Sequence, residues 1–129
     1  MPTVENEVKR FSGTGATTGT GLTDILEVIL GEEGYKDLWF QVVNTGVNLT
    51  GFSLLGKVHT DGAYVTLLTT TGWDSVAGLL KFVSGTIKTL ANAATGHAYV
   101  DIGPLYAIKF QASVGSSTTS VAIKGGLTR

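Results

Sequence analysis

The chain has 129 residues, of which 43% are hydrophobic and 15% charged, with a formal net charge of −1, 18 glycines and no cysteine. That length is one domain and buries a core without cross-links, while the lack of cysteine excludes a disulfide framework, a thiolate nucleophile and a Cys-ligated zinc. The Lys and Arg residues are scattered, with only Lys9-Arg10 adjacent, so there is neither the basic stripe of a nucleic-acid binder nor a polybasic membrane-surface segment.

The N-terminus, MPTVENEVKR, lacks the apolar core of a signal peptide, and no run reaches the roughly 18 apolar residues of a membrane span. Synthesis in the cytoplasm is expected. After Phe11 comes SGTGATTGTG, a Gly/Thr/Ser run that reads as aperiodic and has little to bury. Residues 1–22 are therefore expected to form a flexible arm that orders only against a partner, with residues 23–129 as the folded domain.

From Asp24 onward strands dominate. DILEVIL (24–30) is short, aliphatic and stopped by Gly31. LWFQVV (38–43) is aromatic and β-branched, as strands prefer, and ends at Asn44-Thr45-Gly46. In GFSLLGKVHT, Phe52, Leu54, Gly56 and Val58 share one face, and Ser53, Leu55, Lys57 and His59 the other. Asp61-Gly62 then predicts a two-residue hairpin, with positive φ at both turn positions, pairing 52–60 with 63–70.

TTTGWDS reads as a loop, GLLKFVSG as a strand or a short helix, and TIKTLANAATG as a strand followed by a turn of small residues. HAYVDIG places Ala98, Val100 and Ile102 on one face. LYAIKFQASV groups Tyr106, Ile108, Phe110 and Ala112, and after a turn at 115–118 the last strand turns Val121 and Ile123 inward. About eight short strands at this spacing, with Gly-rich turns and no long helix, predict an all-β antiparallel sandwich, jelly-roll-like, with an N-terminal arm.

No constellation of reactive residues emerges. The glycine run Gly13–Gly21 lacks the Gly-Lys-Ser/Thr of a phosphate loop, and its spacing misses the dinucleotide fingerprint by one residue. His59 and His97 are expected to be solvated beside turns, with no metal-ligand spacing around them. Glu32 and Glu33 read as a solvated turn, and nothing singles out Asp74 with Asp101 as a glycosidase pair. Asn48-Leu49-Thr50 is formally a glycosylation sequon but reads as a turn. Neither a cofactor nor catalysis is expected. Trp39, Phe40, Tyr64, Trp73, Tyr99 and Tyr106 could form a sugar-stacking platform, although their strand positions favour core packing. Trp73, in a loop, reads equally as a cap of the sandwich or as an anchor for a protein contact.

Residues 84–126 carry Thr89-Leu90, Ala94-Thr95-Gly96, Asp101-Ile102-Gly103, Ala112-Ser113 and Val121-Ala122-Ile123 in strand order. This pattern resembles small β-sandwich proteins encoded among bacteriophage head genes, including capsid decoration or cement proteins. The resemblance implies a non-enzymatic virion protein on the capsid surface, with the major capsid protein and further copies of itself, as a trimer, for partners. The arm residues Val4, Val8 and Phe11, together with Trp73, are then the candidate contact residues. The alternative reading is a carbohydrate-binding β-sandwich module on a phage or bacterial surface, using Tyr64, Trp73 or Tyr99.

Overall fold

A strand exposes alternate side chains to its two faces, so each stretch of period two can cover a core with one face only. In the computed structural model, which describes residues 8–69, 72–73 and 79–129, that pattern produces nine strands among the described residues. They are β1 (Val8–Ala16), β2 (Thr23–Ile29), β3 (Asp37–Thr45), β4 (Leu49–Lys57), β5 (Val65–Leu68), β6 (Leu80–Ser84), β7 (Thr95–Asp101), β8 (Ala107–Val114) and β9 (Ser120–Thr128). One sheet has the order β1-β9-β3-β7-β6 and the other β2-β8-β4-β5.

The pairing is nested. β1 pairs with β9, β2 with β8, β3 with β7 and β4 with β5, all antiparallel. The chain thus folds back on itself as one long hairpin whose rungs alternate between two sheets, which is jelly-roll topology. β6 is an additional strand on the edge of β7. The expected all-β antiparallel sandwich is what the chain forms.

The inward faces meet in an aromatic centre. Phe40 of β3 meets Phe110 of β8 edge-on at 4.9 Å between ring centroids, and lies 6.3 Å from Phe52 of β4. Leu38, Val42, Leu54, Ile108, Val121 and Ile123 are fully buried around them. The inward positions expected at Ala98, Val100, Phe110, Ala112, Val121 and Ile123 are all buried.

Four expectations are corrected. The segment expected to be a flexible arm is, over Val8–Ala16, a strand paired with β9 along its whole length. Its glycines are the reason it fits. A Cβ at Gly13 would lie 2.6 Å from a Leu26 methyl, and one at Gly15 only 2.8 Å from the Ile25 carbonyl oxygen. β1 therefore passes close over β2 because its inward positions at Gly13 and Gly15 are bare. The pairing of β4 with β5 is as expected, but it is joined by residues 58–64 rather than by a two-residue hairpin. Gly62 N–H donates to the His59 carbonyl at 2.9 Å, and neither Asp61 nor Gly62 has positive φ. Val58 leaves the buried row at this point and is 74% exposed. The TIKTL segment is a short 3-10 turn (Ile87–Thr89), with Ile87 and Leu90 plugging the end of the core, not a strand.

Trp73 is the fourth case. It is 3% exposed, packs against Phe52 at 5.4 Å and Phe40 at 5.9 Å, and donates its Nε1–H to the Phe52 carbonyl at 2.8 Å. Its indole belongs to the core, and the reading as a surface anchor is withdrawn.

Candidate functional site

The outer face of the five-stranded sheet is built from the residues that alternation turns away from the core. Register fixes its rows. One row runs Arg10, Gly126, Trp39, Tyr99 and Phe82 across β1, β9, β3, β7 and β6. The row beside it on one side runs Ser12, Lys124, Gln41, His97 and Ser84. On the other side lie Val8, Thr128, Asp37 and Asp101.

The middle row carries exposed aromatic surface. Trp39 is 50% and Phe82 45% exposed. Trp39 and Tyr99 are cross-strand neighbours with centroids 4.4 Å apart and planes within 2° of parallel, and Phe82 leans in to 6.4 Å from Trp39. Tyr99 is itself held, because its hydroxyl donates to Asp37 Oδ1 at 3.0 Å, and Asp37 Oδ2 accepts from Thr128 Oγ1 at 3.5 Å. The hydrogen bond to Asp37, followed by desolvation, moves the Tyr99 hydroxyl pKa up from its ordinary value. An aromatic cluster fixed in this way and left facing solvent is the usual mark of a binding surface.

Beside Trp39 the row drops to Gly126. Tyr99 covers the side of the indole that faces β7, so the other side turns toward β9, where Gly126 puts up no side chain. A Cβ placed there would lie 3.4 Å from a Val8 methyl, 3.7 Å from the Lys9 carbonyl oxygen and 3.9 Å from Arg10 Nη1, so the guanidinium stands beside the gap. The result is a shallow depression of about 570 Å³, walled by Trp39, Phe82 and Arg10 and edged by the polar row.

The residues expected from sequence distribute unevenly around this face. Val4 lies outside the described residues. Val8 is 44% exposed at the start of β1. Phe11 turns inward under Gly125 and packs 6.0 Å from Phe110. His97 is an exposed member of the polar row, within β7 rather than beside a turn. Of the suggested aromatic platform, Trp39 and Tyr99 come together, Phe40 and Trp73 are core, and Tyr64 and Tyr106 lie elsewhere. Tyr64 donates its hydroxyl to Glu27 and sits beneath the Lys57 and Lys109 ammonium groups. Phe82 was not among the candidates; its place in an ambiguous strand-or-helix segment hid which face it takes.

His59 lies in a turn, its Nδ1 accepting the Asp61 N–H at 3.2 Å. Glu33 accepts from Tyr35 at 3.0 Å and pairs with Arg129 at 3.4 Å. Asp74 is outside the described residues. Among the described residues no group of three His, Cys, Asp or Glu side chains could hold a metal ion. At one end of the sandwich, buried Asn44 donates to the Val47 and Leu90 carbonyls at 2.7 and 2.9 Å and accepts from Thr119 Oγ1 at 2.5 Å, tying three loops together.

No family model and no curated protein sequence matches the chain. In three dimensions it is similar to the SPBc2 prophage-derived protein YomS. The TM-score is 0.50 at 16% identity, over 99% of this chain and 100% of that one. The two share their fold along their whole length.

Proposed function

We propose that the chain is a non-enzymatic virion structural protein that binds the outer surface of a phage capsid and stabilises it, docking through the free edge of β1. The observation that carries this reading is the edge itself. β1 is nine residues long, ends the strand order of the larger sheet, and among the described residues pairs on one side only, with β9. Proteins usually blunt such an edge with charge, proline or a covering loop. Here its middle is Ser12-Gly13-Thr14-Gly15, small and uncharged, which leaves the main chain accessible to an added strand.

The full-length fold likeness to a prophage-derived protein and the phage-head resemblance of residues 84–126 support the same reading. A shell presents many equivalent sites, and assembly into a homo-oligomer, a trimer in this proposal, turns weak strand-edge contacts into avidity. Val8 lies at the exposed end of this edge.

The test is co-sedimentation with undecorated heads of the encoding phage. The intact protein should pellet saturably at a fixed ratio to the major capsid protein. Val8→Lys with Thr14→Lys, which charges the edge while leaving β1 on β9, should weaken pelleting by about tenfold or more. Folded protein that does not pellet would refute the reading.

A further inference from the structure

Along the middle row of the outer face, only Gly126 lacks a side chain between Arg10 and the aromatic cluster. We infer that the slot over Gly126, between Trp39 and Arg10, is a subsite for an acidic glycan, and that it receives a pyranose bearing a carboxylate. This use of the sheet face is separate from the β1 edge and holds whether or not the chain docks on a capsid.

Three features define that ligand. The first is an open indole side. Trp39 is pinned by Tyr99 on one side and turns the other to the slot, and the apolar C–H face of a pyranose lies flat against such a surface. Because Tyr99 is anchored to Asp37, the platform is set before a ligand arrives, which lowers the ordering cost of binding.

The second is a hydrogen-bonding margin. Ser12, Gln41 and His97 border the depression along the row next to Trp39. A sugar stacked on the indole directs its equatorial hydroxyls outward around the ring, toward groups placed in that way. The shallow depression, of about 570 Å³, falls within the volume range of small-ligand sites.

The third is charge. Arg10 and Lys124 line the slot, and among the described residues no carboxylate does. Among the described residues, the acids on this face, Asp37 and Asp101, occupy the row on the other side of Trp39 and Tyr99, and Asp37 is engaged by Tyr99 and Thr128. A guanidinium offers a paired donor geometry matched to a carboxylate, so the complementary sugar is a uronate rather than a neutral hexose.

The experiment uses the intact protein with trigalacturonate, a hyaluronate tetrasaccharide, maltotriose and poly-glutamate, followed by tryptophan emission and by ¹H–¹⁵N NMR. The chain has two tryptophans, and Trp73 is 3% exposed, so a ligand-dependent emission change reports Trp39. At least one uronate should bind with shifts centred on Trp39, Gly126 and Lys124. Gly126→Val, which fills the slot from a position with ordinary clearance, should weaken it by about tenfold or more, and Arg10→Gln should do the same. Trp39→Phe should bind more weakly and lose the emission change.

Binding of neither uronate would overturn the inference. So would maltotriose binding as tightly as the uronates, poly-glutamate competing equally, or affinity unchanged in a Gly126→Val variant whose melting temperature matches the parent.

Discussion

Replacing Gly125 with alanine inserts a methyl group where the structure has no room for one. The new Cβ would lie 2.4 Å from the Trp39 carbonyl oxygen, 2.6 Å from Phe11 Cζ and 2.9 Å from Phe40 Cβ. Phe11 can rotate away, but the carbonyl belongs to β3, and moving it disturbs a pairing that runs from Asp37 to Thr45. Overpacking of this kind costs about 1–3 kcal/mol, and contact with a fixed main chain places it near the upper end, about 3 kcal/mol. For a domain of this size that lowers the melting temperature by about 10 °C. Gly126, one residue on, faces outward, and its Cβ would meet nothing nearer than 3.4 Å. Alanine there should be neutral or stabilising by about 0.5 kcal/mol, because glycine in a strand loses more backbone entropy on folding. Scanning calorimetry of the two variants beside the parent reads the contrast. Equal melting temperatures, or the reverse order, would refute the assignment of Gly125 to the core side of β9 and Gly126 to the outer side.

Other consequences follow from the same structure. Asn44→Leu removes the donor to the Val47 carbonyl and the acceptor for Thr119 Oγ1, whereas the Leu90 carbonyl keeps the Leu49 N–H; urea unfolding should show a loss of about 2–4 kcal/mol. Trp73→Phe keeps an aromatic ring beside Phe52 but loses the Nε1–H bond to its carbonyl, which should cost about 1–2 kcal/mol by the same assay. The Tyr64 hydroxyl is pushed well above its ordinary pKa, first by burial and then by its hydrogen bond to Glu27. An unfolded tyrosine ionises near pH 10, so the unfolded chain gives up this proton first, and the Tyr64 contribution is complete below about pH 10 and declines above it. Urea midpoints measured from pH 8 to 11 should fall more steeply for the parent than for Tyr64→Phe; identical slopes would contradict the assignment.

The sandwich was legible because alternation and turn chemistry agree over most of the chain. Stretches such as HAYVDIG and SVAIKGG can bury only one face, and they do. The N-terminal strand was hidden because, after Phe11, its inward residues are Gly13 and Gly15, which carry no hydrophobic signal. The period of two is present there as bare positions alternating with Ser12, Thr14 and Ala16, and it acquires meaning only once β2 lies beneath. The hairpin after β4 was misjudged because Asp61-Gly62 closes a turn inside a seven-residue connection instead of joining the strands directly. Trp73 looked available because TTTGWDS reads as a loop, yet the space it fills is made by Phe40 and Phe52 from two different sheets. The candidate binding face was half legible. Trp39 and Tyr99 were among the suggested aromatics, but their stacking, the addition of Phe82 and the gap at Gly126 depend on register across five strands, which a linear reading does not hold.

A cryo-electron microscopy reconstruction of undecorated heads saturated with the intact protein tests the central proposal most directly. The account predicts added density at symmetry-equivalent positions, in clusters of three, with the edge of β1 against the shell and the Trp39 face turned to solvent. Shells without added density at saturating protein, or added density whose contact with the shell lies away from β1, would contradict it.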